Sequence, residues 1–106
     1  MNNTEAVAAL AALAQASRLA AYRLLVQAGP AGLAASKIAE ALDLPASSLS
    51  FHLKELTHAN LIASRQDGRF IIYAARFDQM HALLGFLAEN CCGGNDCAPA
   101  AHRAEG

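Results

Sequence analysis

Cys91-Cys92-Gly93-Gly94-Asn95-Asp96-Cys97 is the stretch whose residue types and spacing best suit the capture of a soft ion. A trans peptide holds neighbouring Cα atoms about 3.8 Å apart, short of the usual disulfide range of about 4.4 to 6.8 Å. Cys91 and Cys92 are therefore poorly placed to pair with each other. The two glycines permit a turn sharp enough for Cys97 to fold back over them, so that three sulfurs converge. Soft thiolates select soft acceptors. Trivalent arsenic or antimony takes three thiolates in a pyramid and keeps a lone pair at the fourth corner, and Cys91, Cys92 and Cys97 complete such a site. A methylated trivalent arsenical has two positions for thiolates and needs only the adjacent pair. Zinc wants four ligands, and its tetrahedron would require His81, His102 or water. Two other readings compete: a tail whose cysteines are incidental, and a thiol redox switch in which Cys97 resolves Cys91 or Cys92.

A catalytic reading of the same thiols is weaker. Cys97 and Arg103 match the Cys-x5-Arg spacing of phosphatases and some arsenate reductases. That chemistry needs a rigid loop of backbone amides between a strand and a helix, to cradle an oxyanion and depress the thiol pKa. Cys97-Ala98-Pro99-Ala100-Ala101-His102-Arg103 has neither the strand nor a glycine-rich cradle, so the chain is not expected to be an enzyme.

The elements that position these thiols come from a chain of 106 residues, 55% hydrophobic and 16% charged, a composition for one folded domain rather than disorder. Twenty-six alanines point to closely approaching helices. The net charge of -1 announces no basic surface, so any nucleic-acid claim must rest on motifs. The longest apolar run, Ala6 to Ala14, is far short of the roughly 20 residues that span a bilayer. Ala14-Gln15-Ala16 mimics a signal-peptidase site, but Glu5 stands where a positive segment belongs and no Lys or Arg precedes it. A cytoplasmic location is expected.

Residues 4 to 14 and 16 to 28 carry helical spacing, the first through Val7, Leu10, Ala11 and Ala14 and the second through Ala21, Leu24, Leu25 and Ala28. Gly29-Pro30 stops the second helix. A third helix is expected to Leu42 with Ser36 as N-cap and Ile38, Ala39 and Leu42 inside, and a fourth from the region of Ala46 and Ser47 to about Asn60. The two together form a helix-turn-helix candidate. Leu61 to Arg65 and Phe70 to Ala74 read as strands joined by a type I′ turn centred on Asp67-Gly68. Phe77 to Glu89 is helical, with Phe77, Met80, Leu84 and Leu87 in one stripe. The result is a mostly α chain with a small β-hairpin, in the order of a winged helix-turn-helix, ααααββα. Its domain covers residues 1–90, followed by a cysteine-containing tail over 91–106.

Residues 17 to 89 resemble the ArsR/SmtB repressors, small dimeric bacterial metal and metalloid sensors. The resemblance lies in Ala16-Ser17-Arg18-Leu19 with Tyr22-Arg23-Leu24-Leu25, in Ile38-Ala39-Glu40-Ala41-Leu42, and in Ser47 to Leu56 leading into Ala59-Asn60-Leu61-Ile62. Ser50-Phe51-His52-Leu53-Lys54-Glu55-Leu56 is the most specific run. The resemblance implies a homodimer formed by the N- and C-terminal helices, bound to partly palindromic operator DNA and released by its inducer. Some arsenic repressors of the family carry an adjacent pair plus a third cysteine after the last helix, which implies arsenic(III), antimony(III) or methylarsenite as inducer. The chain departs from the family's founding Cys-x-Cys site, since 36–43 holds no cysteine, and Asp78 with His81 does not meet its zinc pattern. A redox-sensing or zinc-responsive repressor is the alternative.

On a wheel centred at Leu49, Leu53, Leu56 and Asn60 fall within about 40° and define the packed side. Ser47, Ser50, Phe51, Lys54 and His58 lie opposite, and with Ser48 they form the candidate DNA face. Phe51 argues for a partner, because a large aromatic on an outward helix face can meet a thymine methyl while serines reach base edges or phosphate. His52 lies about 60° from the core centre, where a satisfied core histidine and a base contact are both open. Arg65 and Arg69 flank the hairpin tip as solubilising charges or as contacts to phosphate or the minor groove. The charges of residues 33–70 cancel, so binding must come from charge placement and from two copies.

Overall fold

The computed structural model describes residues 1–94. Helix α1 spans Asn3–Leu13 and α2 Ala16–Ala28; a short β1 (Leu33–Ala34) leads into α3 (Ala35–Leu42) and α4 (Ala46–His58). Strands β2 (Ile62–Asp67) and β3 (Phe70–Ala75) follow, then α5 (Phe77–Ala88) and a 3₁₀ turn at Cys91–Gly94. The architecture is a winged helix-turn-helix with five α-helices and a three-stranded antiparallel sheet, ordered β1-β3-β2.

The two residues of β1 are too short for any periodicity to reveal them. Leu33 pairs with Tyr73 and Ala34 with Ile72, which converts the expected hairpin into a sheet. Gly32 makes that approach possible: its φ is +70°, and a Cβ there would collide with the Tyr73 carbonyl oxygen and lie 3.0 Å from Ile72 Cγ2.

The core gathers Leu25 of α2, Ile38 of α3, Leu49, Leu53 and Leu56 of α4, and Leu61 and Ile62 at the wing's base. Helix α1 is held at its start by a reciprocal cap between Asn2 and Glu5. It turns Ala6, Ala9 and Ala12 inward and leaves Val7 and Leu10 exposed, the reverse of the expected face. Alanines let α1 approach α2 and α4 closely, and the larger side chains are pushed out.

Several boundaries move. The N-cap of α3 is Ala34, with Ser36 inside the helix, and Pro45 is the N-cap of α4, so neither Ser36 nor Ser47 supplies a side-chain cap. Pro45 suffices because its φ of -61° leads into the first turn. Asn60 leaves the packed side: α4 ends at His58, and Asn60 is exposed at φ +62°. Asn60 N–H donates to Thr57 O and Leu61 N–H to Leu56 O, a Schellman closure that frees the chain to enter β2. At the wing tip Asp67 pairs with Phe70, so the turn is Gly68-Arg69, one residue later than expected, with positive φ at Gly68 alone. A glycine at the first central position suits a II′ turn rather than I′. Among the described residues, no helix is long and apolar enough to cross a membrane.

Candidate nucleic-acid interface and thiol site

Helix α4 packs through Leu49, Leu53 and Leu56 and leaves Ser47, Ser48, Ser50, Phe51, Lys54 and His58 exposed. The division follows the wheel, because the leucines recur at spacings of four and three and the polar residues fill the gaps. Phe51 keeps 56% of its surface exposed, and its ring meets that of His52 edge-on, centroids 5.8 Å apart at 63°.

His52 is half-buried, and its Nδ1 lies 3.4 Å from Arg18 Nη1. Arg65 sits in mid-strand opposite Ile72 rather than at the tip, and its Nη2 donates to Ala31 O at 2.9 Å, tying the wing to the loop after α2. Arg69 occupies the turn itself and is exposed. Beside it Phe70 is 60% exposed, an apolar wing-tip residue that could enter a minor groove. In the sequence Phe70 reads only as the start of a strand; the signal that singles it out is an aromatic beside an arginine at a hairpin tip.

The chain leaves α5 through Asn90, Cys92, Gly93 and Gly94, all at positive φ, with Gly93 N–H donating to Asn90 O at 2.9 Å. This run bends the backbone sharply, as the two glycines suggest. Cys91 and Cys92 are exposed and their Sγ atoms stand 3.7 Å apart, too far for a bond between them. Cys97 and His102 lie outside the described residues. Among the described residues no three His, Cys, Asp or Glu side chains cluster, so His81 does not join Cys91 and Cys92 in a zinc set. At the start of α5 the Arg76 guanidinium, 2.9 Å away, holds the Asp78 carboxyl below its ordinary pKa. Burial pushes the Tyr22 hydroxyl above its ordinary value.

A two-helix unit with one exposed polar face, flanked by an antiparallel wing, defines a protein of the winged helix-turn-helix class. Residues 13–65 match a family of helix-turn-helix domains. No curated protein matches the chain. Among solved structures, an ArsR-like transcriptional regulator from Rhodococcus sp. RHA1 is 27% identical, covering 79% of this chain and 76% of its own, with TM-score 0.71. HlyU from Vibrio cholerae N16961 is 26% identical over 87% of this chain and 99% of its own, TM-score 0.68. NolR from Sinorhizobium fredii is 30% identical over 83% and 85%, TM-score 0.57. The chain belongs to the helix-turn-helix domain family, and ArsR-family regulators are among the solved structures similar to it.

Proposed function

We propose that this protein is a homodimeric transcriptional repressor that holds operator DNA through α4 and the wing and releases it when trivalent arsenic or antimony binds Cys91, Cys92 and Cys97. The exposed face of α4 carries the DNA half of the reading: Ser47, Ser48 and Ser50 reach base edges or phosphate, Phe51 an apolar base edge, and Lys54 and His58 the backbone, with His52 beside them and Arg65 and Arg69 on the wing. Dimerisation is supported by apolar side chains that one chain leaves uncovered: Val7 and Leu10 on α1, Leu19 on α2, Leu84 and Leu87 on α5. Leu19 and Leu84 line an apolar groove of about 410 Å³ between α2 and α5, together with Leu13, Tyr22, Val26, Met80 and Leu83. A two-fold dimer presents two copies of α4 to the half-sites of a partly palindromic operator.

The observation that carries the inducer is the spacing of the adjacent sulfurs. The Cys91 and Cys92 sulfurs stand 3.7 Å apart directly after α5, close enough for one soft ion to bridge them. The reduced pair can thus face one acceptor, with Cys97 as third ligand for the inorganic ions and without it for methylarsenite. Because the site follows α5 directly, its closure bears on the helix that offers Leu84 and Leu87 to the partner. An inducer that weakens DNA binding must itself bind the DNA complex less well.

A second reading is a thiol redox switch on the same repressor, in which Cys97 resolves Cys91 or Cys92. A structure of reduced HlyU, 26% identical, belongs to the same group of relatives.

An operator-binding titration of the reduced protein with arsenite, antimonite, methylarsenite, zinc and peroxide tests both. Arsenite is expected to bind once per subunit, protect three thiols and release DNA, and Cys91→Ser or Cys92→Ser to keep DNA binding while losing release. Full arsenite binding by Cys97→Ser would reject the three-thiolate site, and release by peroxide but not by arsenite would establish the redox switch.

A further inference from the structure

Arg18 lies far from the exposed face of α4 in sequence, yet its side chain reaches into that helix. It sits in the first turn of α2, where its backbone N–H is capped by Gln15 Oε1 at 2.8 Å. Its Nε donates to Ala12 O at 2.7 Å, near the end of α1, where the last turn leaves carbonyls without helical partners. Its Nη1 stands 3.4 Å from His52 Nδ1. One guanidinium thus joins the C-terminal end of α1 to α4.

The chemistry of this contact is directional. A guanidinium has five N–H donors, no acceptor, and keeps its proton throughout the physiological range. An imidazole nitrogen that hydrogen-bonds to it must therefore accept, and a neutral ring accepting at Nδ1 carries its proton on Nε2. The other ionisable groups lining the neighbouring groove with Arg18 are Glu55 and His58, both on α4. Among the described residues neither hydrogen-bonds to the His52 ring, which also meets the edge of Phe51.

We propose that Arg18 is a positioning residue that holds His52 as the neutral Nε2–H tautomer, so that α4 offers a single N–H donor beside Phe51 to an acceptor on DNA. The inference rests on α4 being the helix that enters the groove. The acceptor is a purine N7, a guanine O6 or a phosphate oxygen. Through Ala12 the same guanidinium keys the donor's position to α1, whose outer face carries Val7 and Leu10.

The test reads the tautomer in the free protein and the affinity on DNA. Long-range nitrogen–proton correlation spectra of histidine-labelled protein, taken where the imidazoles are neutral, are expected to give an Nε2–H signature for His52 in the wild type and a mixture in Arg18→Ala. Operator affinity of Arg18→Ala should fall about threefold to tenfold, the range for one hydrogen bond. His52→Gln, whose side-chain amide puts a donor near the place of Nε2–H, should keep more affinity than His52→Leu. It is measured in the Arg18 background that folds as the wild type does, so a folding defect in Arg18→Ala does not decide the result. A fall for operator but not random DNA identifies a base acceptor, and an equal fall for both a phosphate. An Nδ1–H signature, or one that Arg18→Ala leaves unchanged, overturns the positioning role whatever the DNA result. An Arg18-dependent tautomer in a chain with no affinity for any duplex overturns the DNA-facing half together with the proposed function.

Discussion

Truncating Phe51 separates a DNA contact from a packing contact, because the structure fixes how much stability the side chain can supply. Burying a whole phenylalanine contributes about 1.5 to 3 kcal/mol. Phe51 retains 56% exposure, so Phe51→Ala should cost about 0.7 to 1.3 kcal/mol. For a domain of this size that is a melting-temperature drop of about 3 to 6 °C. Leu53, two residues on and 2% exposed, supplies the contrast: Leu53→Ala should cost about 2 to 5 kcal/mol, a fall of roughly 10 °C or more. A mismatched base pair typically costs about 1 to 3 kcal/mol of specific binding, which sets the scale for losing one base contact. Phe51→Ala should therefore narrow the gap between operator and random DNA about tenfold while the protein melts close to the wild-type temperature. Thermal unfolding, read beside binding isotherms on the two duplexes at one salt concentration, makes the comparison. A drop like that of Leu53→Ala, with the gap unchanged, would refute the exposure argument and take Phe51 off the DNA face.

Three further outcomes follow from the same geometry. Gly32→Ala should destabilise the domain by about 2 kcal/mol or more, through a left-handed φ and a Cβ driven against the Tyr73 carbonyl; an unchanged denaturation midpoint would show that β1 does not need its close approach to β3. Leu84→Glu with Leu87→Glu should give a folded monomer by sedimentation, since both side chains are more than half exposed on one chain, and a persisting dimer would move the interface elsewhere. Lys54→Ala should weaken binding to all sequences and lower the salt slope by about one per subunit, as a phosphate contact requires; an unchanged slope would exclude it.

The residues of α4 were legible in the sequence because their contrast is strong. Leu49, Leu53 and Leu56 alternate with serines, lysine and histidine, so spacing alone fixes which side turns inward. In α1 the period is clear but the face is not. Nearly every position from Ala6 to Leu13 is apolar, and the choice between Val7 and Leu10 or Ala6, Ala9 and Ala12 depends on how closely α2 and α4 approach, a distance that no single helix carries. The wing was legible as two strands, but its register was not, because Asp67-Gly68 and Gly68-Arg69 are both credible turns and the pairing of Asp67 with Phe70 decides between them. Strand β1 exists only through its partner β3. The cysteine cluster was read from its own residue types, since soft ligands and nearby glycines are properties of sequence, whereas the 3.7 Å between adjacent sulfurs depends on the left-handed run after α5. Arg18 marks the limit most sharply: its spacing places it off the core face of α2, and only the fold brings it to a carbonyl six residues earlier and an imidazole thirty-four residues later. Short-range chemistry is written in the order of residues, but contacts between distant segments are set by packing that the whole chain reaches together.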